Sequence, residues 1–115
     1  MLYASSATLR FEAAHIVIGH PDCGKPHGHT WSVTAHVSHE DLHEGYPRGG
    51  AGLGGCLEAL VREVDGRDLK MMVPLIVATP TALAAWFFER ISHDFPRLTR
   101  VDVCHRLEGG SVSRA

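Results

Sequence analysis

Cysteine is scarce in this chain. Three residues, Cys23, Cys56 and Cys104, are odd in number and widely spaced across 115 positions. That excludes a disulfide framework, suits a reducing compartment and leaves thiols available for chemistry. Charge of one sign is also lacking: eleven basic residues against thirteen acidic leave a formal charge of −2. The basic residues are scattered, so there is no electrostatic footprint for nucleic acid. No apolar run approaches the length of a membrane span. Met1 is followed by a mixed, strand-like segment rather than a basic stretch and an apolar block, so no membrane association is expected and a cytoplasmic location is. Repeats and low-complexity segments are absent. With 44% hydrophobic and 21% charged residues, the composition is that of an ordinary globular protein. Residues 1–115 fit a single domain, small enough that self-association would help its stability.

What the chain has in excess is histidine, nine residues dispersed along its length. Taken singly, His20, His39, His43 and His93 read as solvated or hydrogen-bonded side chains, because an isolated histidine carries no ligand spacing. The segment CGKPHGH, residues 23–29, is different. In an extended segment side chains alternate faces, so His27 and His29 share one, with Gly28 as spacer. His15 closes the preceding stretch LRFEAAH and supplies a third imidazole. Three neutral imidazoles without a fourth protein ligand form the pattern of a catalytic zinc site, where water or substrate takes the open position; iron, nickel or copper fit the same ligand type. Cys23 then has two readings. It is a thiol free for chemistry beside the metal, its pKa lowered by nearby positive charge, or it is a fourth ligand that closes a structural site.

Residues 3–14 read as a strand ending at His15. A turn-rich loop from Gly19 to Pro26 leads into a second strand, TWSVTAHVS, residues 30–38, with the alternation of a half-buried strand. Residues 39–55 are polar and glycine-rich and give no periodic signal. Leu53, Leu57, Leu60, Val61 and Val64 then mark one stripe of a helix that Gly66 is placed to end. A second helix opens at Thr79-Pro80, an N-cap followed by proline at the first helical position, with Leu83, Phe87 and Ile91 along its buried face. LTRVDVC, residues 98–104, is a third strand, and Ser111 onward a short fourth. The expected fold is α+β, an antiparallel four-stranded sheet with two helices inserted between strands 2 and 3.

FEAAH, a loop, CGKPHGHTW, a strand, two helices and PTA opening the second of them together resemble the 6-pyruvoyl-tetrahydropterin synthase and 6-carboxytetrahydropterin synthase family. The resemblance is strongest over residues 7–38 and collinear beyond, and the C-x-x-x-H-G-H spacing is similar to the carboxy-forming branch of queuosine biosynthesis. It implies a tunnelling fold and a zinc-dependent lyase acting on the small molecule 7,8-dihydroneopterin triphosphate. It also implies subunits joined edge to edge into a homo-oligomer, a trimer or a homohexamer of two trimers. Carried over by position, it makes His15, His27 and His29 the zinc ligands, Cys23 the catalytic thiol and Asp65 a catalytic partner.

The sequence departs from the family pattern at several points. The family's aspartate-histidine pair, its second acid/base element, reads Asp65-Gly66, so the histidine is missing. The segment before the first helix reads Arg48-Gly49-Gly50, and the second helix opens Pro80-Thr81-Ala82-Leu83. The glutamate that holds the pterin ring falls on His105, and a short shift offers Glu108 for substrate binding instead. His105, on the strand expected to border the pocket, is the candidate to replace the missing acid/base group, since an imidazole titrates near neutral pH. Metal and thiol are kept while the substrate-reading positions change. Altered specificity is therefore the expectation beside pterin chemistry, with a non-pterin substrate or a non-catalytic binding protein as the alternatives.

Overall fold

The computed structural model describes residues 1–15, 27–40, 52–69 and 78–114. Two long strands, β1 (Tyr3–His15) and β2 (His27–His39), form an antiparallel ribbon in unbroken register from Tyr3 opposite His39 to His15 opposite His27. Helix α1 (Gly52–Val64) follows, then a two-residue strand β3 (Arg67–Asp68), helix α2 (Pro80–Ser92), β4 (Leu98–Cys104) and β5 (Gly109–Ser113). The sheet order is β3-β1-β2-β4-β5. β2 and β4 pair antiparallel with a bulge between His36 and Val37, and β5 returns antiparallel beside β4.

The fold is the expected α+β arrangement, with one more strand than the sequence pattern gives. β3 runs parallel to β1, pairing Arg67 with Ala13 and Asp68 with Ala14, so the sheet is mixed. Two residues are too few to show alternation, and both are exposed. They add to the sheet because the end of α1 is pinned there. Gly66 adopts a positive φ of 72°, which glycine tolerates without Cβ strain, and its N–H donates to the Glu12 carbonyl at 2.6 Å. The Arg48-Gly49-Gly50 segment lies outside the described residues.

Both described helices cover one face of the sheet. Along β1, β2 and β4 every second residue points into this layer: Phe11 and Ala13, then Trp31, Val33, Ala35 and Val37, then Val101 and Val103. From α1 the buried stripe is Leu53, Leu57, Leu60, Val61 and Val64, as the periodicity predicts; α2 contributes Leu83, Ala84, Phe87 and Ile91. Phe11 lies parallel to Trp31 and tilted against Phe87, with centroids 6.1 and 6.0 Å away. Each fully buried large apolar side chain of this kind contributes about 1.5–3 kcal/mol. α2 starts where Thr79 caps it: the Thr79 side chain accepts from the Ala82 N–H at 3.1 Å and Pro80 opens the first turn.

The other face of the sheet is polar. Thr8 bonds Thr34 at 2.8 Å, Thr30 donates to Glu12 at 2.7 Å, and Asp102 holds both His36 and Arg100. Among the described residues no helix is long and apolar enough to cross a membrane.

Candidate metal centre

The alternation that buries the core also carries three histidines to one end of the sheet. His15 ends β1 two residues beyond Ala13, and His29 stands on β2 two residues before Trp31. His105 follows β4 and continues the buried series Val101, Val103. Their ligand nitrogens all lie within 4.8 Å of one another. His15 and His105 are buried and His29 half-buried. Zinc about 2.0–2.1 Å from its ligand nitrogens sets neighbouring ligands about 3.4 Å apart in a tetrahedron, and the nitrogens of His15 and His29, no more than 4.8 Å apart, lie close to that spacing.

His15 is prepared for this use. Its Nδ1 lies 2.8 Å from the Ala78 carbonyl, at the start of α2. A carbonyl only accepts, so Nδ1 carries the proton and the neutral ring keeps its lone pair on Nε2. A backbone carbonyl behind the ring is the usual support for a metal-binding histidine, fixing both its tautomer and its orientation.

Trp31 forms the floor. It is fully buried, and its Nε1 donates to the Ala13 carbonyl at 3.1 Å. Its ring meets His15 and His105 edge-on at 4.8 Å each and His29 at 5.8 Å. His29 and His105 stack face to face, 4.0 Å apart with planes 4° from parallel, while His15 stands edge-on to both. Neither Trp31 nor the Ala78 carbonyl was singled out from the sequence as part of a site. Trp31 shows only as the next residue on the face of His29, and a backbone carbonyl has no sequence signature.

His27 pairs with His15 through the backbone; its side chain, and all of Cys23, lie outside the described residues. Asp65 sits in the exposed turn after α1, where its carboxylate accepts the Glu12 N–H at 2.9 Å. A shallow cleft of about 300 Å³ lined by Glu12, Ala13, Ala14, Gly28, His29, Gly66, Arg67 and Asp68 runs from this turn to His29. Glu108 is exposed, in the tight turn between β4 and β5, and its carbonyl accepts the His105 N–H at 2.9 Å. Among the described residues the structure thus gathers His15, His29 and His105. It sets Asp65 in the turn at the far end of the cleft and Glu108 on the surface of the β4–β5 turn.

The His39 ring is buried at the opposite end of the β1–β2 ribbon, within 2.8 Å of the Ser5 hydroxyl, and His93 caps the C-terminus of α2. Both fit the structural roles expected of isolated histidines.

Comparison with known proteins bears on the fold and the family. A 6-pyruvoyl tetrahydropterin synthase from Caenorhabditis elegans superposes with a TM-score of 0.78 at 16% identity, over 100% of this chain and 97% of that one. An uncharacterized protein from Wolinella succinogenes does so with a TM-score of 0.71 at 15% identity, over 100% and 99%. At such identities the likeness speaks for the fold. In sequence, a Methanocaldococcus jannaschii protein described as a candidate 6-carboxy-5,6,7,8-tetrahydropterin synthase is 63% identical over 27 residues. That stretch is 24% of this chain and spans 17% of the relative's length. The sequence profile of 6-pyruvoyl tetrahydropterin synthases matches residues 5–112, nearly the whole chain, and the protein therefore belongs to the 6-pyruvoyl tetrahydropterin synthase family.

Proposed function

We propose that this protein is a zinc-dependent carbon–oxygen lyase of the 6-carboxy/6-pyruvoyl-tetrahydropterin synthase type, acting on 7,8-dihydroneopterin triphosphate or a related substrate. One observation carries the reading: His15 and His29 bring two imidazoles together at one end of the sheet, with His105 beside them and the ligand nitrogens within 4.8 Å of one another, and His15 is held by a backbone carbonyl in the tautomer that leaves Nε2 open to a metal. Family membership supports the reaction class.

His15, His27 and His29 are the proposed ligands. When bound, zinc supplies Lewis-acid polarisation of the substrate's side-chain hydroxyls. The protein's own groups then move the protons. Cys23, as thiolate, would take the proton from the side-chain carbon that bears one of these hydroxyls. The electron pair released forms the new double bond and expels triphosphate from the neighbouring carbon. Asp65 and His105 are the candidates for the second proton transfer, and Glu108 for holding the substrate ring. Trp31 keeps the floor of the site dry. Assembly into trimers or hexamers would cover the sheet edges and bring a neighbouring chain to the cleft.

The test is direct. Purified protein should hold one zinc per chain and release triphosphate from 7,8-dihydroneopterin triphosphate, with the pterin product identified by mass. Cys23→Ala should abolish turnover while zinc stays near one per chain; lost zinc would instead make Cys23 a ligand. Stoichiometric zinc in the double variant His27→Ala/His29→Ala would sink the assignment. Light scattering should give a multiple of three chains.

A specific observation favours a second reading, a redirected substrate. Gly66 stands where the acid/base histidine is expected, and Asp65 is engaged by the Glu12 backbone. Metal-loaded protein inert towards the pterin triphosphate would remove the pterin reading and leave a redirected substrate or a non-catalytic binding protein.

A further inference from the structure

His15 and His105 stand in the same cluster with opposite hydrogen-bond roles. The Nδ1 of His15 faces a carbonyl, so its proton is on Nδ1 and its lone pair on Nε2. The Nδ1 of His105 faces a donor: the Leu107 N–H points at it from 3.1 Å. An amide N–H can only donate, so Nδ1 of His105 must hold the lone pair, and the neutral ring carries its proton on Nε2. The turn enforces this. The His105 N–H closes onto the Glu108 carbonyl at 2.9 Å, which folds residues 105–108 back so that the Leu107 amide reaches the ring. His29 stacked at 4.0 Å on one side and the Trp31 edge at 4.8 Å hold the ring in place, and Nε2 is shielded from solvent.

We infer that His105 is a specificity-determining residue, a hydrogen-bond donor that presents Nε2–H to an oxygen acceptor on whatever ligand binds at the His15/His29 metal, and that it is not itself a metal ligand. To ligate through Nε2, a neutral His105 would have to move its proton to Nδ1, where it would meet the Leu107 N–H donor against donor. The His105–Glu108 turn would have to open to relieve that. As a donor, His105 keeps both the Leu107 N–H on its Nδ1 and its own N–H on the Glu108 carbonyl. The chemistry selected is a ligand with a carbonyl, carboxylate or hydroxamate oxygen close to its metal-binding atom. Ligands that present only N–H groups there are disfavoured, since a donor facing a donor gains nothing and loses its hydration. The inference deepens the metal-dependent reading above and rests on it for the ligand assays, though not for the tautomer.

Nitrogen NMR of protein carrying isotope-labelled histidine, recorded without metal, should show His105 protonated on Nε2 and His15 on Nδ1; a proton on Nδ1 of His105 overturns the inference. The cobalt(II)-loaded protein is then titrated with two probes, acetohydroxamate, which offers oxygen acceptors, and imidazole, which offers none beyond the nitrogen on the metal. His105→Phe should keep its cobalt, bind acetohydroxamate about tenfold more weakly and bind imidazole within about threefold of wild type. His105→Gln, whose amide can donate, should recover acetohydroxamate binding to within about threefold. Loss of cobalt from folded His105→Phe or His105→Gln would make His105 a ligand, and unchanged acetohydroxamate binding would remove the donor role; either overturns the inference. Should His105→Phe fail to fold, His105→Gln and the NMR still decide it. A wild-type protein that takes up no cobalt refutes the metal assignment of the proposed function, a result separate from the tautomer of His105.

Discussion

Gly110 on β5 faces the first turn of α2, and replacing it with alanine tests how tightly these two elements close. A Cβ there would lie 2.6 Å from the Thr81 backbone nitrogen and 2.8 Å from its Cα, with the Thr81 hydroxyl nearer still. Favourable contact needs about 3.5–4.0 Å, so strand and helix must part by roughly 1 Å, and backbone cannot rotate away as a flexible side chain would. Overpacking of this kind costs about 1–3 kcal/mol. For a chain of this size that lowers the melting temperature by roughly 4–12 °C. The helix turn that must move lies next to Ala78, whose carbonyl holds His15, so metal affinity should fall along with stability. Gly54→Ala is the control: a Cβ on Gly54, in α1, meets nothing within 4 Å, and alanine in a helix is favoured over glycine by roughly 0.5–1 kcal/mol. Thermal and urea unfolding at one fixed protein concentration, so that self-association cannot shift the comparison, should move the two variants in opposite directions. A Gly110→Ala protein as stable as the parent would refute the close approach and the coupling drawn from it.

At Gly66 the cost should come from the backbone alone: with φ at 72° and open space around a Cβ, Gly66→Ala and Gly66→His should both lose about 1–2 kcal/mol in urea unfolding, and a variant as stable as wild type would contradict the left-handed conformation. Removing the α2 cap by Thr79→Ala should cost about 0.5–2 kcal/mol, measured in the same way, and no loss would show that the Ala82 N–H does not depend on Thr79. Burial raises the thiol pKa of Cys56, and the negative charge of Asp94 raises it further, so less of it is thiolate at neutral pH. Iodoacetamide followed by peptide mass mapping should therefore modify the exposed Cys104 well before Cys56; equal rates would argue against the burial of Cys56.

The sequence yields the long strands and both helices because each has enough residues to repeat its period. The nine residues 30–38 of β2 alternate four times, and the α1 stripe from Leu53 to Val64 covers three turns. The α2 start is legible because Thr79-Pro80 is chemically specific to a helix N-terminus. β3 is not legible. Two exposed residues carry no pattern, and what makes them a strand is the Gly66 N–H reaching Glu12, a contact between parts of the chain 54 positions apart. The candidate site divides in the same way. His29 and His15 come from local spacing. The family resemblance alone puts His105 at the pocket; its packing beside the other two follows once the alternation Val101, Val103 is carried one step past the end of β4 and the β2–β4 pairing is known. The Ala78 carbonyl and the Leu107 amide, which set the two tautomers, are backbone groups that every residue has, so no reading of side chains finds them.

The β1–β2 ribbon also bears on the order in which the site is built during folding. Its innermost pair, His15 and His27, closes a separation of 12 positions, and its outermost, Tyr3 and His39, one of 36. Loop-closure entropy grows with the logarithm of length, so starting at the outer end costs roughly 1 kcal/mol more than starting at the inner one. The ribbon is therefore cheapest to nucleate at the end that carries His15 and His29, and it zips outward from there towards Tyr3. Two of the gathered histidines are neighbours before any helix has docked. His105 joins only when β4 finds β2, a long-range pairing and hence a late one. An ion captured by the early pair would wait on the last elements of the fold for the group that shapes its surroundings.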